Sequence, residues 1–133
     1  MILLETHGLL RLDRDDASFG VQARVGIAEA CEAGRAAVSA VSVWQAALPD
    51  QPGRIALGRP TSPWRSDGLV AGLQELPLDG ATALLGGSLK DSHADPADRF
   101  ITATALRQQA CLLTADHRIL AWPGTLQRTP ADT

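Results

Sequence analysis

Two short apolar runs constrain the fold of this chain most, because each has the length of one strand and contains no polar residue. They cover Ile2–Leu4 near the start of the chain and residues 111–113 near its end. A third small run covers residues 36–40, and segments of helical periodicity lie between the three runs. Strands that are apolar on both faces are typical of parallel sheets covered by helices on both sides. The sequence therefore predicts an α/β fold with a mainly parallel central sheet flanked by helices.

Periodicity and capping signals predict the helices and the remaining strands. Ser39 or Ser42 is placed to cap the second helix, and Ser62 with Pro63 forms a typical start for the third. The glycine pair at 86–87 is expected to end the fourth helix. Helices are expected over residues 18–34, 42–48, 62–73, 80–85, 95–109 and 116–120, further extended segments over 76–78 and 125–128, and loops over 49–63 and 90–94.

Length and composition bound what the chain can do. We expect one domain over residues 1–133, with a weakly structured tail from about residue 123. The apolar runs are too short to cross a bilayer and no secretory signal is recognisable, so the expected location is the cytoplasm. A net charge of −3 and the absence of clustered basic and aromatic residues argue against a dedicated nucleic-acid-binding surface. Cys31 and Cys111 have no metal-binding spacing and are expected to be buried thiols.

Two aspartates three residues apart begin the helix predicted over residues 95–109. Asp95 is a good N-cap, Pro96 fits the first helical position, and Asp98 supplies an acid in the first turn. Capping alone therefore accounts for the pair. A functional role requires that other acids reach the same place.

Other acids follow the predicted strands. Glu5 comes directly after the first strand, and Asp116 comes shortly after the strand that begins at residue 111. Because a helix that leads into a parallel strand normally runs antiparallel to it, Asp98 is expected at the carboxyl end of that same strand. Parallel α/β sheets bind their ligands at this edge. The sequence therefore predicts that the three carboxylates converge there.

Converging carboxylates need a cation to remain ionised together, because like charges raise each other's pKa. Oxygen ligands without His or Cys suit Mg²⁺ or Mn²⁺. Such ions activate water and stabilise charge on a phosphate, so the reaction class indicated is phosphodiester hydrolysis. Acids at strand ends and helix starts are also ordinary turn and capping residues, so both interpretations stay open at this level.

Four segments combine these features in a fixed order: ILLETHGLLRL, AVSAVSVWQAAL, HADPADRFITATA and CLLTADHRIL. Together they cover residues 2–120 and resemble the PIN-domain ribonucleases, specifically the VapC-like toxins of type II toxin-antitoxin pairs. The resemblance implies a PIN-like single domain that cleaves RNA as a metal-dependent endoribonuclease with Mg²⁺ or Mn²⁺. It also implies a prokaryotic, cytoplasmic protein that forms a homodimer and is silenced by a cognate antitoxin whose tail blocks the acidic site.

The resemblance also implies roles for single residues. Asp98 and Asp116 match the family's metal-binding and catalytic acids, with Thr114 beside them. Glu5 occupies the position of the first family aspartate, and Asp95 is an accessory acid that also caps the helix. The other supporting residues are Thr6 and Ser39. Apart from the resemblance, scattered arginines are the candidates for holding RNA, namely Arg54, Arg59, Arg65 and Arg118. Arg99 is placed either to contact an RNA phosphate or to pair with a neighbouring acid.

Two positions depart from the family pattern. Glu5 stands where the family has aspartate, and its extra methylene shifts the carboxylate by a distance that matters in a catalytic site. Gln45 stands where the family has glutamate, and its amide can neither neutralise a cation nor accept a proton. The chain is therefore predicted to be a slowed nuclease, a nuclease that rebuilds its acidic site with Asp95, or a degenerate PIN-like module that binds an antitoxin or RNA without cleaving it.

A phospho-acceptor receiver domain would also gather acids at strand ends. We set it aside because the chain lacks an adjacent acid pair after the first strand and a lysine after a late strand. His7 is expected to be a hydrogen-bonded structural residue, and Trp44 and Trp64 are expected to be core or interface anchors.

Overall fold

The computed structural model of the protein describes residues 1–13, 20–49, 57–89, 95–122 and 126–131. Strands and helices alternate along much of the chain. The strands are β1 (Ile2–Leu4), β2 (Ala36–Ser39), β3 (Gln74–Leu76), β4 (Cys111–Thr114) and β5 (Arg128–Pro130). The helices are α1 (Thr6–Asp13), α2 (Val21–Glu32), α3 (Ala40–Ala47), α4 (Thr61–Val70), α5 (Gly80–Ser88), α6 (Pro96–Gln108) and α7 (His117–Leu120).

The strands form one parallel sheet in the order β3-β2-β1-β4-β5. β1 lies at the centre, with Leu4 paired to Val38 of β2 and to Leu113 of β4. The predicted α/β class with a parallel, helix-flanked sheet is confirmed. Because the chain adds strands first on one side of β1 and then on the other, the order reverses beside β1, and ligands of such sheets bind at that point.

Each face of the sheet carries its own apolar core, which explains why the central strands are apolar throughout. Leu3 and Leu112 lie in the core that α3 and α6 cover, together with Ile101. Leu4 and Leu113 lie in the core on the other face, which α1, α2 and α4 cover. All five side chains are buried. Burial on both faces is the reason for the uninterrupted runs.

The segment after β1 forms α1, where the sequence pattern predicts only an interruption followed by an apolar run at 9–12. The Glu5 side chain accepts hydrogen bonds from the backbone amides of His7 and Gly8, as an N-terminal cap does. Glutamate is not among the preferred capping residues, so the sequence carries no clear signal for this helix start.

Several predicted helix boundaries are wrong, since α3 begins at residue 40 rather than 42 and α4 ends at residue 70 rather than 73. α4 begins at Thr61 after Pro60, so Ser62 lies inside the helix and does not cap it. α5 continues through the glycine pair to Ser88 because it packs along α6. A Cβ atom at Gly86 would lie 2.8 Å from Cδ1 of Phe100, so glycine allows this close approach.

Smaller differences concern the edge strands and the thiols. β3 begins two residues before the predicted segment at 76–78 and shares only residue 76 with it, and β5 shares only residue 128 with the predicted segment at 125–128. The register with β2 and β4 decides where pairing occurs. Cys31 and Cys111 are partly exposed rather than buried. No helix in the described ranges is long and apolar enough to cross a membrane.

Candidate functional site

The candidate site lies where β1, β2 and β4 end, at the carboxyl edge of the sheet. Glu5 follows β1, Ser39 ends β2 and Thr114 ends β4, and all three are 0% exposed. Asp98, in the first turn of α6, is 2% exposed. A buried group of polar side chains therefore occupies the edge at which the sequence predicts binding.

The carboxylate of Glu5 is turned toward the start of α1. Its Oε1 accepts a hydrogen bond from the backbone nitrogen of His7 at 3.0 Å and contacts His7 Nδ1 at 3.0 Å. Its Oε2 accepts longer bonds, both at 3.4 Å, from the amide of Gly8 and from Oγ1 of Thr114. The hydrogen bond to Glu5 raises the pKa of His7, which favours the protonated ring.

Asp98 shares its surroundings with the other acids of the edge. Burial raises its pKa to about 7, and the nearby charges of Glu5, Asp95 and Asp116 act in the same direction. His7 opposes this shift. Three other carboxylates therefore act on Asp98 at this edge, although the four acids are spread over 111 positions of sequence from 5 to 116.

Asp95 and Asp116 each cap a helix. The side chain of Asp95 accepts from the amide of Ala97 at 3.0 Å, and Oδ1 of Asp116 accepts from the amide of Arg118 at 2.8 Å. The Arg118 guanidinium reaches both carboxylate oxygens of Asp116 at 3.4 Å. Thr114 Oγ1 accepts from the amide of Asp116 at 3.0 Å, which ties the end of β4 to the start of α7.

Gln45 belongs to a neutral hydrogen-bond group beside the acids. Its Oε1 accepts from Thr6 Oγ1, and that hydroxyl also contacts Ser42 Oγ at 2.8 Å. Ser39 caps α3 by accepting from the amide of Val41, as one of the two predicted alternatives has it. Ser42, considered from the sequence only as the other possible cap, is instead a buried partner of Thr6. Its spacing of three residues from both Ser39 and Gln45 is the signal that places it on their side of the helix.

The donor set suits an oxygen-preferring divalent cation in type and charge, because carboxylates crowd around Asp98 and destabilise its ionised form. The positions of these side chains fit a metal site less well than their chemical type does. Among the described residues, no three His, Cys, Asp or Glu side chains are placed to hold a metal ion together. Glu5 and Asp116 are turned to His7 and Arg118 respectively.

The predicted RNA-contacting arginines have different environments. The group formed by Glu5, Asp95, Asp98 and Asp116 is here called the acidic edge. Arg118 lies at its solvent side, where it contacts Asp116. Arg99 donates to the backbone oxygens of Gly87 and Leu89 and so joins α6 to the end of α5. Arg54 lies outside the described residues.

A second concave region, here called the apolar groove, lies between α1, α2 and α4. It has a volume of about 280 Å³. Charged pairs stand on its rim, where Arg59 bonds Asp13 and Asp67, and Arg65 bonds Glu75. The apolar side chains that line the groove are Leu9, Leu12, Ile27, Val38, Val43, Trp64, Leu69, Ala71 and Leu73.

The two tryptophans singled out from the sequence differ in exposure. Trp64 is 5% exposed and belongs to the core beneath the groove, as predicted for a core anchor. Trp44 is 57% exposed on α3 and is therefore not part of the core.

No protein-family model matches the sequence, and no curated protein matches it either. Solved structures do match, over nearly the whole chain. One is a chain of the VapBC2 complex from Rickettsia felis bound to a DNA fragment from its promoter, with a TM-score of 0.68, 13% identity, and coverage of 98% of this chain and 98% of that one.

Two further matches are toxin-antitoxin complexes as well. A chain of DNA-bound VapBC from Salmonella typhimurium has a TM-score of 0.67 and 16% identity, with 97% of this chain and 96% of that one covered. A chain of a toxin-antitoxin complex from Klebsiella pneumoniae has a TM-score of 0.62 and 17% identity, with 96% and 97% covered. At these identities the likeness establishes the fold. This chain has the same fold as the matched chains of these complexes, as the resemblance predicts.

Proposed function

We propose that this chain is the toxin of a toxin-antitoxin pair and acts as a metal-dependent endoribonuclease that hydrolyses RNA phosphodiester bonds. The observation that supports the proposal most is the surroundings of Asp98, which is buried among Glu5, Asp95 and Asp116 with its pKa raised to about 7. A fold gains no stability from gathering carboxylates in a buried place, so a ligand that needs them is the simplest explanation.

The cation of this proposal is Mg²⁺ or Mn²⁺, held by Glu5, Asp98 and Asp116 with Asp95 as an accessory acid. When bound, it would activate a water molecule and stabilise charge on the attacked phosphate. Asp98 has to lose its proton before it can serve as a ligand, because only the carboxylate binds the cation well. The Thr114 hydroxyl donates a hydrogen bond to Glu5 and accepts one from the backbone amide of Asp116. Thr114 therefore holds two of the three acids in position relative to each other.

The two departures from the family pattern lower the expected rate. The Glu5 carboxylate is bound to His7 and to the start of α1, so it must turn before it can reach a cation beside Asp98. Gln45 contributes a neutral oxygen that already accepts from Thr6. With one negative charge fewer than the family pattern, the site binds a cation more weakly and favours one ion over two.

The decisive experiment is an RNA-cleavage assay on the purified, partner-free chain with Mn²⁺ or Mg²⁺, compared with EDTA. Three forms are needed: the chain as it is, Asp98→Asn, and the double variant Glu5→Asp with Gln45→Glu. We expect metal-dependent cleavage by the chain as it is, loss of cleavage in Asp98→Asn, and faster cleavage by the double variant. Circular dichroism of all three forms controls for folding.

The assay also distinguishes this proposal from a second candidate function. Gln45, already engaged by Thr6, favours a degenerate PIN-like module that binds an antitoxin or RNA without cleaving it. Cleavage only by the double variant would support that module on a dormant nuclease scaffold. Silence from all three forms on varied RNAs would overturn the nuclease proposal and leave the binding function.

The antitoxin is the partner that both functions share. Each of the matched toxin-antitoxin structures covers nearly all of this chain. The apolar groove fits an amphipathic helix of such a partner, because it combines apolar walls with paired charges of both signs on its rim. The homodimer implied by the resemblance stays a prediction, as does the location in the prokaryotic cytoplasm.

A further inference from the structure

Arg118 is the arginine of the described residues that contacts an acid of the candidate site. Its Nε lies 3.4 Å from Oδ1 of Asp116 and its Nη2 lies 3.4 Å from Oδ2. The guanidinium therefore covers both oxygens of a carboxylate that the proposed cation also requires. Two bonds of this length form a weak pair, which a better ligand can replace.

A second pair in the molecule shows what is particular about this one. Arg107 contacts Asp79, which caps α5, much as Arg118 contacts Asp116, which caps α7. The Asp79 side chain is 53% exposed, whereas that of Asp116 is 12% exposed. The Arg118 guanidinium therefore contacts the more enclosed of the two capping carboxylates.

The position of Arg118 also leaves it free to turn outward. Its side chain is 65% exposed, and its backbone amide rather than its side chain makes the capping bond to Asp116. Release of the guanidinium therefore leaves α7 capped. A released guanidinium at the mouth of the site can bind a phosphate group with two parallel hydrogen bonds.

We propose that Arg118 exchanges partners: it neutralises Asp116 in the metal-free protein, and once a cation occupies Asp116 it binds a phosphate of the RNA strand and positions that strand. This inference rests on the proposed function, because it takes the cation and the RNA from there. It adds an order of events, in which metal loading creates the phosphate contact.

The test measures binding rather than cleavage. Mn²⁺ affinity is measured by isothermal titration calorimetry, and RNA affinity by the fluorescence anisotropy of a short single-stranded phosphorothioate RNA, in EDTA and in Mn²⁺, over a series of salt concentrations. The variants are Arg118→Ala, Arg118→Lys and, as the matched control, Arg107→Ala, which breaks the other pair between an arginine and a capping aspartate.

Arg118→Ala is expected to bind Mn²⁺ about two- to fivefold more tightly, since a surface pair of this kind no longer competes. In Mn²⁺ it should bind RNA more weakly, with a salt dependence whose slope falls by about 0.7, as for one lost phosphate contact on a single strand. In EDTA its RNA binding should match that of the parent chain. Arg118→Lys should recover part of the RNA affinity in Mn²⁺, and Arg107→Ala should change neither affinity.

Several results would overturn the inference. If the parent chain binds Mn²⁺ and Arg118→Ala binds it no more tightly, the exchange is wrong while the proposed metal site stands. If RNA binding falls equally in EDTA and in Mn²⁺, Arg118 contacts RNA without being released. If neither form binds Mn²⁺, the metal site of the proposed function and this inference fail together.

Discussion

The acidic edge and the apolar groove share helix α1 but are unfavourable to the isolated chain for opposite reasons. At the edge, Asp98 is a buried carboxyl group surrounded by other acids, so ionisation of this group destabilises the folded state. In the groove, Leu69 and its neighbours leave apolar surface in contact with water. The edge would gain from a cation and the groove from an apolar partner surface. Their different physical origins make the two regions separable by experiment.

The largest effect on stability is expected beneath the groove. Trp64→Ala should lower the free energy of unfolding by about 3–5 kcal/mol, because it empties a buried aromatic position. Urea unfolding measures the change. Trp44→Ala is the matched control, since that ring is 57% exposed and its loss should change stability by about 0.5 kcal/mol or less. Equal effects of the two substitutions would show that Trp64 is not tightly packed in the core beneath the groove.

The next effect lies at the edge and depends on pH. The folded-state pKa of Asp98 is about 7, above the ordinary value of 3.8, so the folded chain binds more protons than the unfolded chain between these values. Its contribution is therefore most favourable below about pH 4 and is lost as the pH rises through 7. The raised pKa of His7 acts in the same direction, because the stability that protonated His7 contributes is lost as the pH rises through the raised pKa of His7.

Asp98→Asn should therefore stabilise the metal-free chain at pH 8.5 by up to about 4 kcal/mol and have little effect near pH 4. Urea unfolding in EDTA at several pH values measures this difference. Asp79→Asn is the control of opposite sign, because hydrogen bonds from Thr82 and Arg107 lower the pKa of Asp79 and its loss should destabilise the chain above that pKa. Destabilisation by Asp98→Asn at pH 8.5 would contradict the crowding of charge at the edge.

The smallest effect on stability should accompany a large effect on partner binding. Leu69→Asp places a charge in the groove wall but should change the free energy of unfolding by about 1 kcal/mol or less, because Leu69 is 37% exposed. Val70→Asp is the control, since Val70 is 89% exposed and does not line the groove. The binding readout is co-purification with the proposed antitoxin partner, expressed together with each variant. Equal binding by both variants would place the partner elsewhere.

The central part of the fold could be predicted from the sequence because its signals are local. The apolar runs at β1 and β4 and the Asp95-Pro96 start of α6 each depend on a few adjacent residues. α1 could not be predicted in this way, since its start depends on the Glu5 side chain folding back on the amides of His7 and Gly8. The extension of α5 likewise depends on its packing against α6.

The sequence by itself determined that this chain forms a parallel α/β sheet and that its acids follow strands or begin helices at one edge. Only the tertiary structure decided what each carboxylate contacts there. The Glu5 side chain accepts a hydrogen bond from Thr114, which lies 109 positions away in the sequence. The pKa of Asp98 likewise depends on Glu5 and Asp116, which are far apart along the chain. Local patterns specify which elements form, but the energy of a buried charge depends on every group around it, and packing alone brings those groups together.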